Sequence, residues 1–352
     1  MKIISIVGAR PQFIKLAPLS RKLREQFEEK IVHTGQHFDL EMSNLFFKEL
    51  EIPEPDYNLA ISGGKHGEQT GKMLIGIEEI LVHEKPDLVI VFGDTNSTLA
   101  GALASTKLGI KTIHIEAGLR SFNTSMPEEI NRIVADHTSD YLFAPTLTAM
   151  KNLDTENLIS RSYLTGDIMV DSLNSAMEKL IKKKKQNIYQ EQFEKFFLLT
   201  LHRPYNVDES SNLLRIFNEL GKLSQQVIFP VHPRTHQVIN NNLLKIPDNF
   251  TLINPVGYLD FVMLEMSSDR IITDSGGIQK EAYILKKPCI TLRPETEWIE
   301  TVEAGWNLVI DPITTNNYFS MIESFNPSTK YLPIFGEDVA EKMKNYINNF
   351  II

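Results

Sequence analysis

The sequence predicts an α/β chain made of two successive parallel-sheet units. Three observations carry that expectation. Short runs rich in Val, Ile and Leu alternate with longer amphipathic stretches, the pattern of strands joined by crossover helices. The runs are near-continuously apolar, which means that helices cover both faces of each sheet. The chain has 352 residues, and at roughly 150 residues per domain this gives about two domains.

In order, KIISIV (2–7), KIVHTG (30–35), DLVIVFG (87–93), KTIHIE (111–116) and YLFAP (141–145) read as the strands of the first unit. LAPLSRKLREQ and EQTGKMLIGIEEILVHE carry helical periodicity between them. A second set begins at FFLLTLH (196–202) and continues with QVIFPVH (226–232), FTLINPVG (250–257), RIITDSGG (270–277) and PCITLR (288–293), with ESSNLLRIFNELGKL among its helices. The join falls near 165–190, where MEKLIKKKKQNIYQ is polar and strongly charged. Lys182 to Lys185 read as a solvated helix end or linker rather than an anion site. The expected domains are 1–168 and 169–336.

Composition narrows the function. Lys and Arg number 36 against 45 Asp and Glu, a formal net charge of -9, which argues against broad nucleic-acid binding and leaves room for a locally basic pocket. No stretch approaches the ~18 to 20 apolar residues that cross a bilayer, and the N-terminus lacks signal-peptide anatomy, so a cytoplasmic protein with no membrane partner is expected. The single cysteine, Cys289, excludes an intrachain disulfide and a cysteine-based zinc site. It lies in an apolar run and reads as core.

In open parallel sheets ligands bind beyond the carboxyl ends of the strands, so the loops there carry the chemistry. After the first strand come Gly8, Ala9, Arg10, Pro11 and Gln12 and then a helix. This is either an ordinary βα turn or a loop in which Arg10 forks onto phosphate at a helix N-terminus. It is not GxGxxG, and no ribose-binding acid follows the second strand, where His33-Thr34-Gly35-Gln36-His37 stands instead. A nicotinamide cofactor loses ground. Asp94 and Glu116 close two successive strands. Asp94 reads either as a cap for a helix starting near Thr95 or as a site carboxylate. Glu116, ending the apolar KTIHI, needs a partner or a task. Pro127 with Glu128 and Glu129 is a good helix start, and Glu128 with Arg132 has the spacing of a surface i,i+4 pair. Three acids at loop–helix junctions within 35 residues suggest proton transfer.

The second unit offers phosphate-seeking groups. His202 and His232 each follow a strand, and either could be a structural residue. Asp274-Ser275-Gly276-Gly277 followed by a helix is an order that cradles phosphate on backbone N–H groups. Glu281, read as four residues into that helix, points back toward the loop and could bind ribose hydroxyls. The picture is a nucleotide diphosphate held by the second half, facing carboxylates of the first.

GARPQFIK, HTGQH, FGDTNSTLAGALA, HIEAGLRS, MPEEINR, TLHRP and TDSGGIQKEA together resemble the non-hydrolysing UDP-N-acetylglucosamine 2-epimerases, in family order over nearly the whole chain. The resemblance implies two Rossmann-like doubly wound domains of glycosyltransferase-B type with the active site in the interdomain cleft, and a final helix (337–352) that crosses back to the first domain. It implies that Lys15, Asp94, Glu116, Glu128, Arg132 and His202 are catalytic. Arg10, His202, Ser275, Gly276, Gly277 and Glu281 would bind UDP, with His232 and the Pro255 to Phe261 loop near the uridine. A homodimer is expected, with a UDP-sugar as substrate and no metal or other cofactor.

Several positions depart from the family pattern. Ala9 and Gln12 stand where the loop usually reads GTRPE, Thr296 to Glu300 replaces TERPE, and Pro333 to Glu337 shortens an NPYGDG-like stretch. Glu68 precedes Gln69-Thr70 where regulated members carry a basic residue, so the resemblance does not carry allosteric activation by substrate to this chain. The first two variants also look like the branch acting on UDP-2,3-diacetamido-2,3-dideoxy-glucuronate. The reaction implied is C2 epimerisation by elimination of UDP to a 2-acetamidoglucal and re-addition, with Asp94 abstracting the first proton and Glu116 or Glu128 serving the return. A UDP-sugar glycosyltransferase of the same fold is the alternative.

Overall fold

The computed structural model describes residues 1–36, 47–183 and 191–350. His37 and Lys184 and Lys185 of the lysine run lie outside the described residues. The chain divides into two compact units, residues 1–175 with 334–352 and residues 176–333.

The first unit contains β1 (Lys2–Val7), α1 (Arg10–Leu23), β2 (Glu28–His33), β3 (Tyr57–Asn58), α2 (His66–Glu84), β4 (Leu88–Phe92), α3 (Asn96–Lys107), β5 (Lys111–Ile115), α4 (Pro127–Thr138), β6 (Tyr141–Ala144), α5 (Leu147–Thr155), β7 (Ser162–Leu164) and the start of α6 (Met169–Lys183). The second holds β8 (Phe196–Thr200), α7 (Pro204–Val207), α8 (Ser210–Leu220), β9 (Gln226–Pro230), α9 (Pro233–Asn241), β10 (Phe250–Ile253), α10 (Tyr258–Ser267), β11 (Arg270–Thr273), α11 (Gly276–Ile284), β12 (Cys289–Leu292), α12 (Ile299–Glu303), β13 (Asn307–Ile310) and α13 (Phe319–Ser324). The last helix, α14 (Val339–Asn349), belongs to the first unit.

Both sheets are wholly parallel. Their strand orders are β3-β2-β1-β4-β5-β6-β7 and β10-β9-β8-β11-β12-β13. Each order reverses once, between β1 and β4 and between β8 and β11, and a doubly wound sheet binds ligands outside the strand ends at that reversal. The loops bearing Arg10 and Asp94 flank one reversal. Those bearing His202 and Ser275 flank the other.

The apolar strands become core because helices cover both sheet faces. β4 and β8 are buried along their whole length, and Cys289 is buried, where desolvation pushes its thiol up to about 12. The three strands that the sequence pattern does not reveal, β3, β7 and β13, are short and lie at sheet edges. An edge strand is sampled by one neighbour only, so its sequence need not be continuously apolar.

Proline at 18 sits inside α1. It has no N–H to give the carbonyl four residues earlier, and the Ser172 hydroxyl of α6 donates to that Ile14 carbonyl at 2.7 Å.

At the opposite end of the first sheet, the side chain of Glu84 closes α2 against the strands. It accepts from Lys30 Nζ at 2.8 Å, from the Tyr57 hydroxyl and from Lys2 Nζ at 3.0 Å. These bonds, Lys30 first and then Tyr57 and Lys2, lower its carboxyl to about 2. A depressed carboxyl adds stability above its unfolded value and loses it as pH falls through the folded one. Glu84→Gln is therefore expected to lower the urea midpoint at neutral pH, with the gap from wild type closing between about pH 4.5 and pH 2. An equal gap across that window would contradict the assignment.

Candidate active site

In the first unit the loops after β1, β4 and β5 carry the predicted residues. Arg10 opens α1 and Lys15 lies buried one turn further on. Asp94 follows β4 after Gly93, but Thr95, not Asp94, caps α3: its side chain accepts from the Thr98 N–H. The carboxylate of Asp94 is thereby left to Arg132, whose Nη2 lies 2.5 Å away. Glu116 leaves β5 with φ of 72°, a left-handed conformation that costs a non-glycine residue on the order of 1–3 kcal/mol. Its carboxylate pairs with Lys15, which meets the need for a partner that burial creates. Two carboxylates at the ends of adjacent strands thus each face one cation.

Arg132 is held from behind, and here the structure corrects the sequence reading. Its partner on α4 is Glu129 at 2.9 Å, an i,i+3 pair, while Glu128 is exposed. Glu129 sits on the inward side of the first turn and its carboxylate accepts the Ser121 and Phe122 N–H groups at 2.9 and 2.8 Å. Burial alone would raise the Glu129 carboxyl; those amides and the Arg132 guanidinium overcome this and hold it below the usual range. Glu129 is the residue the sequence reading passed over. The signal was available, since a carboxylate at the third helical position is placed to reach back to the preceding loop.

Gln12 was a departure from the family pattern with no known location. It is almost fully buried and makes five hydrogen bonds: its Oε1 accepts the Gly8 and Ala9 N–H groups at 2.7 and 3.0 Å, and its Nε2 donates to the Phe92 carbonyl at 2.8 Å and to the Thr95 and Thr98 hydroxyls at 3.0 and 3.1 Å. It ties the Arg10 loop to the Asp94 loop. Gly8 is required for a related reason, because a Cβ there would overlap the Thr34 and Ser97 hydroxyls.

In the second unit Asp274 organises the loops. It is fully buried at the end of β11 and accepts the N–H groups of His202 at 3.1 Å and Arg203 at 3.0 Å and the Asn206 amide at 3.0 Å, with His202 Nδ1 3.0 Å away. Burial would raise this carboxyl, and His202, Asn206 and the Arg203 amide together lower it. His202 is thereby fixed while its ring stays half exposed. Ser275 occupies the cap position of α11 without a side-chain cap bond, and Gly276 and Gly277 form its first turn. A Cβ on Gly276 would overlap the Glu297 carboxylate. Because α11 starts at Gly276, Glu281 is its sixth residue, deeper than the sequence reading placed it, and buried. His232 is exposed at the start of α9, where its Nδ1 accepts the Arg234 N–H at 3.3 Å. The Pro255 to Phe261 segment is loop only as far as Gly257, which caps α10.

A family model described as UDP-N-acetylglucosamine 2-epimerase matches residues 21–340. The chain belongs to that family. A UDP-N-acetylglucosamine 2-epimerase homolog of Methanococcus maripaludis is 54% identical over 345 residues, 96% of each chain. The UDP-2,3-diacetamido-2,3-dideoxy-D-glucuronate 2-epimerase of Pseudomonas aeruginosa is 48% identical over 318 residues, 88% of each. Among solved structures, the Methanocaldococcus jannaschii UDP-GlcNAc 2-epimerase in complex with UDP-GlcNAc and UDP is similar with a TM-score of 0.87 and 42% identity, covering 99% of this chain and 100% of that one. Within the family, the Gln12 arrangement gives a direct test. Replacing Gln12 by Glu removes the donors to Phe92, Thr95 and Thr98 and sets a carboxylate against a carbonyl. The expected cost in urea unfolding is about 1–3 kcal/mol; unchanged stability would show that the amide is not used in this way.

Proposed function

We propose that the protein is an isomerase that inverts C2 of a UDP-activated 2-acetamido sugar, interconverting UDP-N-acetylglucosamine and UDP-N-acetylmannosamine. The single observation that carries this reading is the pairing of Asp94 with Arg132 and of Glu116 with Lys15 at the ends of adjacent strands, in a chain of this family. The hydrogen on C2 is not next to a carbonyl and is too weakly acidic for direct removal. Elimination solves this. The C1–O bond breaks and its electron pair leaves with UDP, while a base takes the C2 proton and the C–H pair becomes the C1=C2 bond of a 2-acetamidoglucal. Re-addition of UDP at C1 with protonation of the opposite face of C2 gives the epimer and balances every atom.

The roles divide by unit. Asp94 takes the first proton and Glu116, or the exposed Glu128, returns one to the other face. Lys15 holds the Glu116 carboxylate and Arg132 the partly exposed Asp94. In the second unit the Ser275 cap and the first turn of α11 offer N–H groups to the pyrophosphate and His202 stabilises the departing UDP, as does Arg10 of the first unit. Glu281 accepts from the ribose hydroxyls, with His232 beside the uridine. No step calls for a metal or redox cofactor.

The diacetamido-glucuronate reading draws support from the Pseudomonas relative, but Gln12 adds nothing to it. The side chain is consumed by backbone and threonine partners, so its neutrality does not open space for a sugar carboxylate. Ile75 and Val82, seven residues apart on α2 and 63% and 56% exposed, lie on one helix face and support a homodimer. The product class suits a cytoplasmic supplier of activated sugars to polysaccharide assembly, and no described helix is long and apolar enough to cross a membrane.

Turnover of UDP-N-acetylglucosamine in deuterium oxide should place deuterium at C2 of the product, read by NMR; unlabelled product would rule out the elimination, and a glycosyltransferase would leave C2 unexchanged. Asp94→Asn should lower turnover by about 100-fold or more while UDP still binds by calorimetry. Full activity would remove Asp94 from the scheme.

A further inference from the structure

Behind the two carboxylates lies a buried pair that the scheme above does not use. His114 of β5 and Asp136 of α4 both have fully buried side chains. His114 Nδ1 is 2.7 Å from Asp136 Oδ1, and its Nε2 is 2.7 Å from the Gly93 carbonyl oxygen. A carboxylate and a carbonyl can only accept, so both ring nitrogens donate and both carry hydrogen. Asp136 Oδ2 in turn accepts the Gly118 N–H at 3.0 Å and faces Arg120 Nη1 at 2.7 Å. Arg120 forks onto Glu156 with two bonds of 2.7 Å. The charged groups facing the ring are therefore Asp136 from α4 and, through it, Arg120 and Glu156.

The residues these groups hold flank the site. Gly93 immediately precedes Asp94, and Gly118 follows Glu116 by two. Gly93, Glu116 and Gly118 have φ of 62°, 72° and 82°, so three left-handed positions are concentrated in two loops. At Gly118 the conformation is enforced by space as well, since a Cβ would press on the Ala149 carbonyl. Of the three only Glu116 is strained, because glycine takes positive φ freely, and such strain persists only where its surroundings over-determine it. The Gly93 carbonyl and the Gly118 N–H are the groups through which they do so here.

We propose that His114 and Asp136 are positioning residues for the epimerisation: the doubly donating ring and its carboxylate fix the backbone at Gly93 and Gly118, and with it the aim of Asp94 and Glu116. Neither side chain reaches solvent, so neither touches substrate. The assignment rests on the reading of Asp94 and Glu116 as the acid/base groups. A neutral histidine in the core would meet an acceptor on one nitrogen and a donor on the other, whereas both partners of His114 are acceptors. The lowered carboxyl of Asp136, which burial would raise but His114 and Arg120 bring down, agrees with an ionised acceptor.

Two measurements test this on the full chain. In histidine-labelled protein, ring nitrogen–proton correlations at neutral pH should show hydrogen on both nitrogens of the His114 ring, with the signals assigned by their loss in His114→Gln. His114→Gln donates from one end only and turns a carbonyl acceptor toward the other partner, whereas the two acceptors of His114 lie on opposite sides of the ring. It should fold, lower kcat by about 100-fold through misplaced carboxylates, and change KM for the UDP-sugar far less. Asp136→Asn should act in the same direction. A folded His114→Gln with wild-type kcat would overturn the proposal, and so would a wild-type ring with one bare nitrogen. If His114→Gln does not fold, Asp136→Asn serves for the assignment and the ring spectrum decides. If instead Asp94→Asn keeps full turnover, the acid/base reading fails, and the ring spectrum still reports on the hydrogen bonds separately.

Discussion

A carboxylate at the end of a buried parallel strand must meet a cation or several N–H groups, and the site of the first unit is organised by that requirement. Glu116 meets Lys15, Asp94 meets Arg132, and Arg132 is itself steadied by Glu129. The next layer repeats the arrangement with Asp136 between His114 and Arg120. Removing one member of such a chain leaves its neighbour buried and uncompensated, which is more costly than never having had the pair. The charges therefore fix one another's positions as a set.

The same constraint operates in the second unit with a different outcome. Asp274 follows β11 directly and Asp94 follows β4 after Gly93, each beside the reversal of strand order. Asp274, however, spends its acceptor capacity on the His202 loop, whereas Asp94 keeps a partly exposed carboxylate opposite a single guanidinium. One topology thus yields a partly exposed acid in the first unit and a scaffold in the second, and the difference lies in how many N–H groups surround the strand end.

Central strands were legible in the sequence because burial on both faces demands uninterrupted apolar runs, and KIISIV is β1 residue for residue. Edge strands such as β3, with two residues, leave no such trace. Asp94, Glu116 and Arg132 were singled out because charge at a strand end or beside a helix start is conspicuous. Glu128 rather than Glu129 was paired with Arg132 on its i,i+4 spacing, but the 121–122 backbone selects the inward-facing neighbour at the third helical position. The location of Gln12 was hidden because its amide partners Phe92, Thr95 and Thr98 lie 80, 83 and 86 residues away in sequence. His114 sits inside an apparently ordinary apolar strand, and its sequence neighbours say nothing of Asp136.

Residues 334–352 complete a unit begun by residues 1–175. Phe350 stacks on Tyr141 with ring centroids 3.9 Å apart, and Tyr346 lies 5.0 Å from Tyr163. During synthesis the first unit must wait, with these rings uncovered, while the whole of the second is translated. Its last aromatic layer closes only when the final helix clears the ribosome, so a nascent chain stopped anywhere before α14 exposes a sticky face on the unit that was made first.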